Sequence, residues 1–477
     1  MRINLAGAVE RMFSARMGAR LAPYARIADN IISGTDDRSV SQRIAFVTFA
    51  VRVISAAIAY LSQILLARWM GDFEYGVFVV VWVVAVILGN LTCLGFGTVV
   101  VRLIPEYTVK GEKALLAGAI VGSGFYGFVT STFFAVVGVL GLWAFSDVFA
   151  NYYLLPLYLG AITLPMLAVG EVNEGVSRGF SWADLSLWPT YIVRPGLIIV
   201  FMWLAIELGY AADAVTAMGA SIIGTYVTTL GQLLIIHLRV RKVVPLGERR
   251  YRPLFWASIA LPIFIVEGFF NLLTNVDILV VGWMMTPDKV AIYFATVKTL
   301  ALVHFVYFAV RAGGAQRFSA YYAAGDHARL AAFTRDTLHW TFWPSLAMII
   351  LILLLGKPLL QLFGSSFTEG YPLLFVLSIG LLFRAAIGPA ETLLIMAGQQ
   401  GICAAVYTAT FILNLTLNVS LIPAYGLMGA AAATATALVL EALVLYYITY
   451  ARLGISCSIL AALRAPRPPA GAEAEAR

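Results

Sequence analysis

The chain has 477 residues, of which 61% are hydrophobic and only 12% are charged. Soluble domains are about 45–50% apolar and about 25% charged, so a soluble globular fold is excluded and lipid is the expected solvent. The net charge of +7 does not indicate nucleic-acid binding, because the basic residues lie in short runs between apolar segments, as the positive-inside rule predicts.

The start of the chain, residues 1–43, contains seven arginines and no uninterrupted apolar core, so no signal peptide is predicted. The pattern over residues 5–32 is compatible with an amphipathic helix on the inner leaflet, and also with a disordered arm. No motif in this cytoplasmic arm indicates a role.

Twelve apolar segments follow the arm, and a helix needs about 20 such residues to cross a bilayer. The predicted spans are Ile44–Ala67, Tyr75–Thr98, Ala114–Trp143, Val148–Val169, Leu185–Ile206, Ala214–Ile236, Leu254–Trp283, Ala291–Ala315, Leu338–Leu355, Tyr371–Ala397, Gly401–Ile422 and Leu427–Arg452. The chain is therefore predicted to be an all-α polytopic membrane protein. Its two six-helix lobes would comprise residues 44–237 and 254–452.

A basic stretch, His237 to Pro253, separates the two sets of six spans and carries six arginine or lysine residues against one acid, Glu248. With the N-terminus inside, the inner segments hold 24 basic residues and the outer loops hold 3, a bias that fixes the predicted orientation. Residues 238–253 are then a cytoplasmic hinge. Residues 453–477, which end in a Pro/Ala/Glu-rich segment, are a cytoplasmic tail.

A short motif occurs once in each half, after the second span. Arg102–Tyr107 is followed by Lys110-Gly111-Glu112, and Arg317–Tyr322 is followed by Ala324-Gly325-Asp326. Each half has an even number of spans, so the halves share one orientation and are predicted to be parallel repeats. In transporters built this way, substrate sites lie between the halves.

Basic residues inside predicted spans are candidates for substrate binding. They are Arg52, Arg194, Lys298, Arg311 and Arg384. A charge at mid-bilayer costs about 2.5–3.5 kcal/mol on insertion scales, so such a group usually faces a cavity, unless it snorkels or forms an ion pair. Arg52 and Arg194 lie too deep for easy snorkelling, and few acids of the first half could pair with them. Because guanidinium matches phosphate oxygens bidentately, we predict an anionic, phosphate-bearing substrate.

Oxygen-bearing side chains inside the spans of the second half are candidates for a coupling ion. They are Glu267, Asn271, Asn275, Asp277 and Glu391. The first three follow the spacing i, i+4, i+8 and share one helix face, with Asp277 about a third of a turn away. Such a face could hold Na⁺ or relay a proton. The same groups also serve as hydrogen-bond partners between helices, which is the commoner role.

Catalytic and cofactor signatures do not emerge from the sequence. It has no GxxxxGK[ST] phosphate loop and no HExxH pair, and its three cysteines, Cys93, Cys403 and Cys457, form no CxxC pair. The predicted outer loops are too short for the acceptor-binding region that a glycan polymerase or ligase usually needs. We therefore predict a transporter rather than an enzyme, with no cofactor or metal beyond coupling to Na⁺ or protons.

Several stretches resemble, in the correct order, the pattern of polysaccharide biosynthesis flippases, and the likeness extends over about Ser41 to Tyr450. They are Leu65–Gly71 (LLARWMG), Glu74–Phe78 (EYGVF), Leu94–Gly97 (LGFG), Asn275–Asp277 (NVD), Val290–Tyr293 (VAIY) and Leu421–Gly426 (LIPAYG). This family is part of the multidrug/oligosaccharidyl-lipid/polysaccharide exporter (MOP) superfamily. The long arginine-rich arm departs from the family's usual short start.

The resemblance implies a V-shaped pair of six-helix lobes that works by alternating access. It implies a flippase that moves an undecaprenyl-diphosphate-linked oligosaccharide to the outer leaflet of the bacterial inner membrane, for O-antigen, capsule or exopolysaccharide. Expected partners are this lipid-linked substrate, membrane lipids and other polysaccharide assembly proteins. The alternative within the same fold is a cation-coupled exporter of drugs or other small molecules, whose cavity would be acidic and aromatic instead of basic.

Overall fold

The computed structural model describes residues 37–243 and 247–464, without the side chains of residues 37–53, 266, 269–270, 305–309, 311–313, 315–316 and 464. The chain forms two compact units, Met1–Ala57 and Ile58–Arg477, and the first is described only as the beginning of a helix. The expectations for the arm before residue 37 and for the tail after residue 464 lie outside the described residues.

Every regular element in the described ranges is helical, which is how a chain in hydrocarbon satisfies its backbone hydrogen bonds internally. The α-helices are α1 (Asp37–Thr92), α2 (Phe96–Val109), α3 (Lys113–Ala144), α4 (Asn151–Gly179), α5 (Ala183–Trp188), α6 (Arg194–Glu207), α7 (Ala214–Val243), α8 (Pro253–Leu273), α9 (Val276–Met284), α10 (Pro287–Leu300), α11 (His304–Ala323), α12 (His327–Gln361), α13 (Tyr371–Ala386), α14 (Ala390–Met396), α15 (Gln400–Leu453) and α16 (Ile459–Arg464).

Two of these helices are divided by a glycine with non-helical backbone angles, Gly71 in α1 (φ 77°) and Gly426 in α15 (φ 58°). Positive φ costs glycine little, so each residue allows a sharp break between two spans. Spans 1 to 12 are then residues 37–70, 72–109, 113–144, 151–179, 183–207, 214–243, 253–284, 287–323, 327–361, 366–396, 400–425 and 427–453.

Eight helices in the described ranges are long and apolar enough to cross a membrane. Two of them, Ile54–Thr92 and Gln400–Leu453, contain two spans each, and shorter helices build spans 7 and 8. The predicted all-α fold of twelve spans is confirmed. Several helices extend beyond the predicted apolar segments; α12, for example, begins at His327 instead of Leu338, because its polar first turns continue the helix outside the apolar segment.

One tight turn recurs at four places, after spans 2, 4, 8 and 10. Its second residue has positive φ in each case: Gly111 (71°), Ser181 (58°), Gly325 (68°) and Gly398 (78°). The amides of Glu112, Trp182, Asp326 and Gln399 donate to the carbonyl oxygens of Tyr107, Ser177, Tyr321 and Leu394 at 2.8–3.1 Å. This is the bond from C″ to C3 that closes many helix C-termini. Its occurrence at equivalent places in both halves supports the parallel repeat.

The register of that repeat differs from the sequence alignment by one residue. The Arg-x4-Tyr motif pairs Tyr107 with Tyr322, but the turn in the second half accepts its hydrogen bond at Tyr321. Counted back from Gly111 and Gly325, Tyr107 and Tyr321 occupy the same position. The number of residues before the turn, and not residue identity, defines equivalent positions in the two halves. The match of Arg102 to Arg317 is therefore accidental.

Five spans are interrupted near their middle. Span 2 breaks at Leu94 and Gly95, whose φ values are 51° and 76°, and span 10 breaks at Gly388, with φ 55°. Span 5 contains a π-helical turn, Pro189–Val193, span 7 is open at residues 274–275, and span 8 tightens to a 3₁₀ turn at Ala301–Val303. Such irregularities in membrane helices are tolerated where they are buried in protein or line a cavity.

At the end of the protein away from the hinge, called here the outer end, the two halves pack directly together. A Cβ added to Gly76 of span 2 would lie 1.8 Å from the carbonyl oxygen of Pro287 in span 8. Tyr60 Oη lies 2.9 Å from Thr299 Oγ1 across the same seam. The buried apolar residues here form one cluster from both halves.

Arg68 closes the outer end of span 9. Its Nε donates to the carbonyl oxygen of Leu362 at 2.6 Å and its Nη2 to that of Gln361 at 2.8 Å. These carbonyls follow the last turn of α12, where backbone acceptors lack partners within the helix. A side chain of the first half thus caps a helix of the second half.

At the hinge end, the buried apolar residues fall into three separate clusters instead of one, the first of them in the first half. The first cluster includes the start of α8, because Trp256 is fully buried and its Nε1 donates to Tyr107 Oη at 3.0 Å. The hinge itself is fixed to the first half by a hydrogen bond from the Arg250 amide to the Ala114 carbonyl oxygen at 3.0 Å. The halves are therefore joined at the outer end and less so at the hinge end.

Candidate functional site

A cavity of about 200 Å³ lies inside the first half, between spans 1, 2 and 5. Arg194 faces this cavity, and its guanidinium carbon lies 5.9 Å from the centroid of the Trp82 ring. Ser62, Gln63, Thr190 and Tyr191 add further polar atoms to the lining. Arg194 comes directly after the π-helical turn of span 5, a type of bulge that occurs often at functional sites.

Among the described side chains, Arg194 has neither a hydrogen bond nor an ion pair within 4 Å. Two acids of span 4, Glu171 and Glu174, are nevertheless close enough to attract it electrostatically, and Glu174 also lies 3.8 Å from Arg178. The expectation that few acids of this half could balance a deep arginine is therefore too strong. Arg194 is the cationic group of the cavity lining, and Glu171 and Glu174 lie near it outside the lining.

The other predicted substrate-binding residues lie apart from this cavity lining or outside the described side chains. Arg52 and Arg311 are in described helices, but their side chains are not described. Lys298 is exposed, with its Nζ 4.9 Å from the Phe294 ring centroid, next to Thr299 at the seam between the halves. The roles of all these residues in substrate binding stay predictions.

Arg384, predicted as a substrate ligand, forms a buried cluster with two carboxylates. Its Nη2 lies 3.4 Å from Glu391 Oε2, and its Nη1 lies 3.0 Å from Glu441 Oε1. Glu391 and Glu441 are only 3% and 2% exposed. The cluster joins spans 10 and 12, so the structure places Arg384 with the predicted coupling residue Glu391.

Glu441 is the carboxylate of this cluster that lacks hydrogen-bond donors. Two carboxylates face one guanidinium, and neither carboxylate oxygen of Glu441 accepts a hydrogen bond from the described residues, although Arg384 is near. His304, Thr341 and Ser345 line a small cavity beside Arg384. An uncompensated buried carboxylate is costly, so a proton or a small cation would stabilise the cluster.

Asp277 forms a second buried carboxylate site, 5% exposed, on α9. Its Oδ2 accepts hydrogen bonds from Tyr293 Oη at 2.8 Å and from Thr434 Oγ1 at 3.4 Å, and its Oδ1 accepts from the Ile278 amide at 2.9 Å. No Lys, Arg or His among the described side chains lies within 4 Å of it. These donors hold the carboxylate at the junction of spans 7, 8 and 12.

The predicted polar face of span 7 does not include Asp277. Helix α8 ends at Leu273 and α9 begins at Val276, and beyond this interruption Asp277 bonds to spans 8 and 12 of the second half. Glu267 Oε1 instead accepts from Thr98 Oγ1 at 2.6 Å, and Asn271 Oδ1 accepts from Asn90 Nδ2 at 3.3 Å.

These two bonds join the halves, which fits the alternative of hydrogen bonding between helices. Asn275 stays local: its Nδ2 donates to the Asn271 carbonyl oxygen at 3.0 Å. A coupling role for the three residues stays a prediction.

The sequence identified the charged residues of these buried sites, but not the side chains that contact them. Glu441 carries a visible signal, a carboxylate deep in a span, but nothing in the sequence connects it to Arg384. Tyr293 and Thr434 carry no such signal, because hydroxyl groups are common in membrane helices. Only the packing of three spans shows that they bind Asp277.

Comparisons with known proteins agree with this architecture. The model of the family described as polysaccharide biosynthesis protein matches residues 42–312, and the MatE model matches residues 262–420. No curated protein matches the sequence.

Three solved structures illustrate the shared fold. A multidrug resistance MATE family transporter of the MOP superfamily, inward-facing, has TM-score 0.70 and 15% identity over 84% of this chain and 94% of its own. Lipid II flippase MurJ, inward closed, has TM-score 0.66 and 14% identity over 88% and 91%. A MOP superfamily transporter from Pyrococcus furiosus has TM-score 0.62 and 14% identity over 89% and 97%. Identities this low show the fold alone; the matched families are transporters and flippases, not enzymes.

Proposed function

The chain belongs to the polysaccharide biosynthesis protein family, and we propose that it flips a lipid-diphosphate-linked oligosaccharide from the cytoplasmic to the outer leaflet of the bacterial inner membrane. It is a multi-pass membrane protein with the fold of MOP-superfamily transporters and flippases. The product would serve surface polysaccharide such as lipopolysaccharide O-antigen, capsule or exopolysaccharide, together with other assembly proteins.

The observation that carries this proposal is Arg194 in its cavity. A guanidinium inside a membrane protein, with no hydrogen-bond or ion-pair partner among the described side chains, is ready to bind an anion. Its fork of N–H donors fits two phosphate oxygens at once, and the Trp82 ring beside it holds the group in place without consuming donors. A diphosphate supplies the matching charge.

The packing of the halves supports alternating access. The outer end is closed by shared packing, by Arg68 and by the contact of Gly76 with Pro287, whereas the hinge end has separate apolar clusters. With the hinge in the cytoplasm, as the charge bias predicts, this arrangement is closed to the outside. Substrate would enter from the cytoplasmic leaflet.

We further propose that a cation gradient drives the step, through the carboxylates of the second half. Asp277 lies at a junction of three spans, and neither carboxylate oxygen of the buried Glu441 accepts a hydrogen bond from the described residues. Binding of a proton or Na⁺ at either place would change the charge between moving helices.

The runner-up function is a cation-coupled exporter of drugs or small molecules. Two observations favour it: the acids Glu171 and Glu174 near Arg194, and the MatE match over residues 262–420. These acids would make the cavity attractive to cations if Arg194 turned away from them on substrate binding.

Complementation of a deletion strain separates the two functions. For a flippase, deletion removes surface polysaccharide and lipid-linked precursor accumulates inside. We expect Arg194→Ala, and the sequence-predicted Arg52→Ala, to abolish rescue at normal membrane levels, with Arg194→Lys retaining part of it. Arg102→Ala, which removes an exposed arginine of the same half, is the matched control. Full export by the Arg194→Ala variant, or drug sensitivity with normal polysaccharide, would reject the proposal.

A further inference from the structure

A second cavity, of about 500 Å³, lies on the first half away from the Arg194 site. It runs over span 4, between spans 3 and 6. Its floor includes Val169, Val172 and Val176 of α4. The opposite side of α4 is covered by α2, where Gly175 meets the backbone of Gly97 so closely that a Cβ would lie 1.8 Å from its carbonyl oxygen. The groove is therefore on the face of α4 turned away from the seam between the halves.

The walls of the groove are large apolar side chains that the protein leaves about half exposed. Phe125 and Phe128 of α3 are 61% and 42% exposed, and Leu230 and Leu233 of α7 are 50% and 43% exposed. On a membrane-spanning segment, side chains left open in this way contact lipid. A groove of this volume is within the range of pockets that hold one small molecule.

The length of the groove corresponds to one leaflet. Its lining on α3 runs from Ala117, near the hinge end, to Phe128. At about 1.5 Å per residue this distance is about 16 Å, half of a hydrocarbon core about 30 Å thick. The groove thus begins at the membrane surface beside the hinge and ends near the bilayer midplane.

A basic rim closes the groove at the membrane surface. His237 and Arg241 at the end of α7, and Arg249 of the hinge, belong to the lining. Among the described side chains none of the three has a hydrogen bond or an ion pair. By contrast, the neighbouring Arg239 is held by Asp184, with N···O distances of 3.1 and 2.6 Å. The rim therefore offers two permanent charges and an imidazole to a ligand at headgroup depth.

We propose that this groove holds a resident anionic phospholipid, with an acyl chain between Phe125 and Leu230 and its phosphate on Arg241 and Arg249. Charge complementarity selects the headgroup, because arginines beside a membrane surface favour anionic lipids. The one-leaflet length fits an acyl chain better than a long polyprenyl chain. The position behind α4, away from the seam, separates this lipid from the transported one, and the inference does not depend on the proposed transport function.

Native mass spectrometry of the protein, purified from nanodiscs of equal parts phosphatidylglycerol and phosphatidylcholine, tests the headgroup. Wild-type protein is expected to retain phosphatidylglycerol. Each arginine contributes roughly fivefold to the preference for anionic lipid, so Arg241→Gln with Arg249→Gln should reduce it on the order of thirtyfold. The control pair, Arg250→Gln with Arg252→Gln, removes the same charge from hinge side chains outside the groove lining and should leave the ratio unchanged.

Blocking the groove tests the apolar part. Gly124 lines it and has nothing within 4 Å of its Cβ position, so Gly124→Phe introduces a ring into the groove without crowding at the Cβ. This variant should lose bound lipid of both headgroups. Gly138→Phe, on the same helix and with equally open surroundings but outside the groove, should not.

Three results would overturn the proposal. The first is equal retention of phosphatidylglycerol by the double glutamine variant and by the wild type. The second is unchanged lipid occupancy in Gly124→Phe. The third is displacement of the bound lipid by undecaprenyl phosphate, added in an equal amount, which would assign the groove to the substrate's lipid instead. A variant that reaches the membrane poorly is replaced by Gly124→Leu, and the same criteria then apply.

Discussion

The contact between Gly76 and Pro287 makes the closed outer end sensitive to a single methyl group. In Gly76→Ala the new Cβ would lie 1.8 Å from the Pro287 carbonyl oxygen and 2.4 Å from its carbonyl carbon. Real Cβ atoms essentially never approach closer than 3.0 Å, so spans 2 and 8 must separate by at least 1.2 Å. Both partners are backbone atoms, which cannot turn aside as a side chain would.

The expected cost is that of overpacking, about 1–3 kcal/mol, and it applies only to the state in which the outer end is closed. If the protein alternates between states, the variant should therefore favour the open one by a factor of about 5 to 150. Transport should fall, because a flippase must pass through both states. Gly138→Ala is the control, since nothing lies within 4 Å of its Cβ position.

Distances between spin labels can measure this shift. Labels at Asp147 and Lys357 report the outer end, and labels at Glu112 and His327 report the hinge end; all four residues are exposed. The three native cysteines are buried and would be exchanged for alanine. Gly76→Ala should lengthen the outer distance and shorten the hinge-end distance. If a folded Gly76→Ala protein showed the same label distances as the wild type, the contact would not belong to one state only and the reasoning would be refuted.

Three further predictions concern charged residues. Asp277→Asn should abolish the dependence of transport in proteoliposomes on a Na⁺ or pH gradient, and an unchanged dependence would reject Asp277 as the coupling site. Arg384→Met should lower stability by about 3–5 kcal/mol, because it leaves buried carboxylates without their guanidinium. Arg384→Met with Glu441→Gln should recover part of this loss in thermal unfolding in detergent; equal melting of the two variants would contradict the charge argument. Arg68→Ala removes exposed hydrogen bonds to the Leu362 and Gln361 carbonyls, so it should destabilise the closed outer end by only about 1 kcal/mol. The distance between the outer labels measures this effect.

The number of spans could be predicted from the sequence because apolar length is a local property. The interruptions were less visible. The break at residues 274–275 contains no glycine or proline, yet Glu267 before it bonds to the first half and Asp277 after it bonds within the second half. A helical wheel drawn over the whole span places the two about a third of a turn apart on one helix, because it assumes that the helix is continuous.

The pairing of distant side chains was not predictable for a different reason. Arg384 and Glu441 are on spans 10 and 12, and their ion pair depends on how those spans pack. The sequence identifies both as costly groups in a membrane but not as partners. In contrast, the turn at Gly111 could be matched to that at Gly325, because glycine followed by an acid is a short-range signal. Only its exact register required the backbone.

The four three-residue turns leave little slack in the loops at the hinge end, and this determines where the protein can deform. Spans 2 and 3, 4 and 5, 8 and 9, and 10 and 11 form stiff hairpins, each closed by the same hydrogen bond. The bending that alternating access requires must then occur within the spans, at residues 94–95, 189–193, 274–275, 301–303 and 388. Variants selected for altered turnover rate should therefore cluster at mid-membrane depth, where the spans bend. Loop insertions should be tolerated in the hinge but not in the hairpin turns.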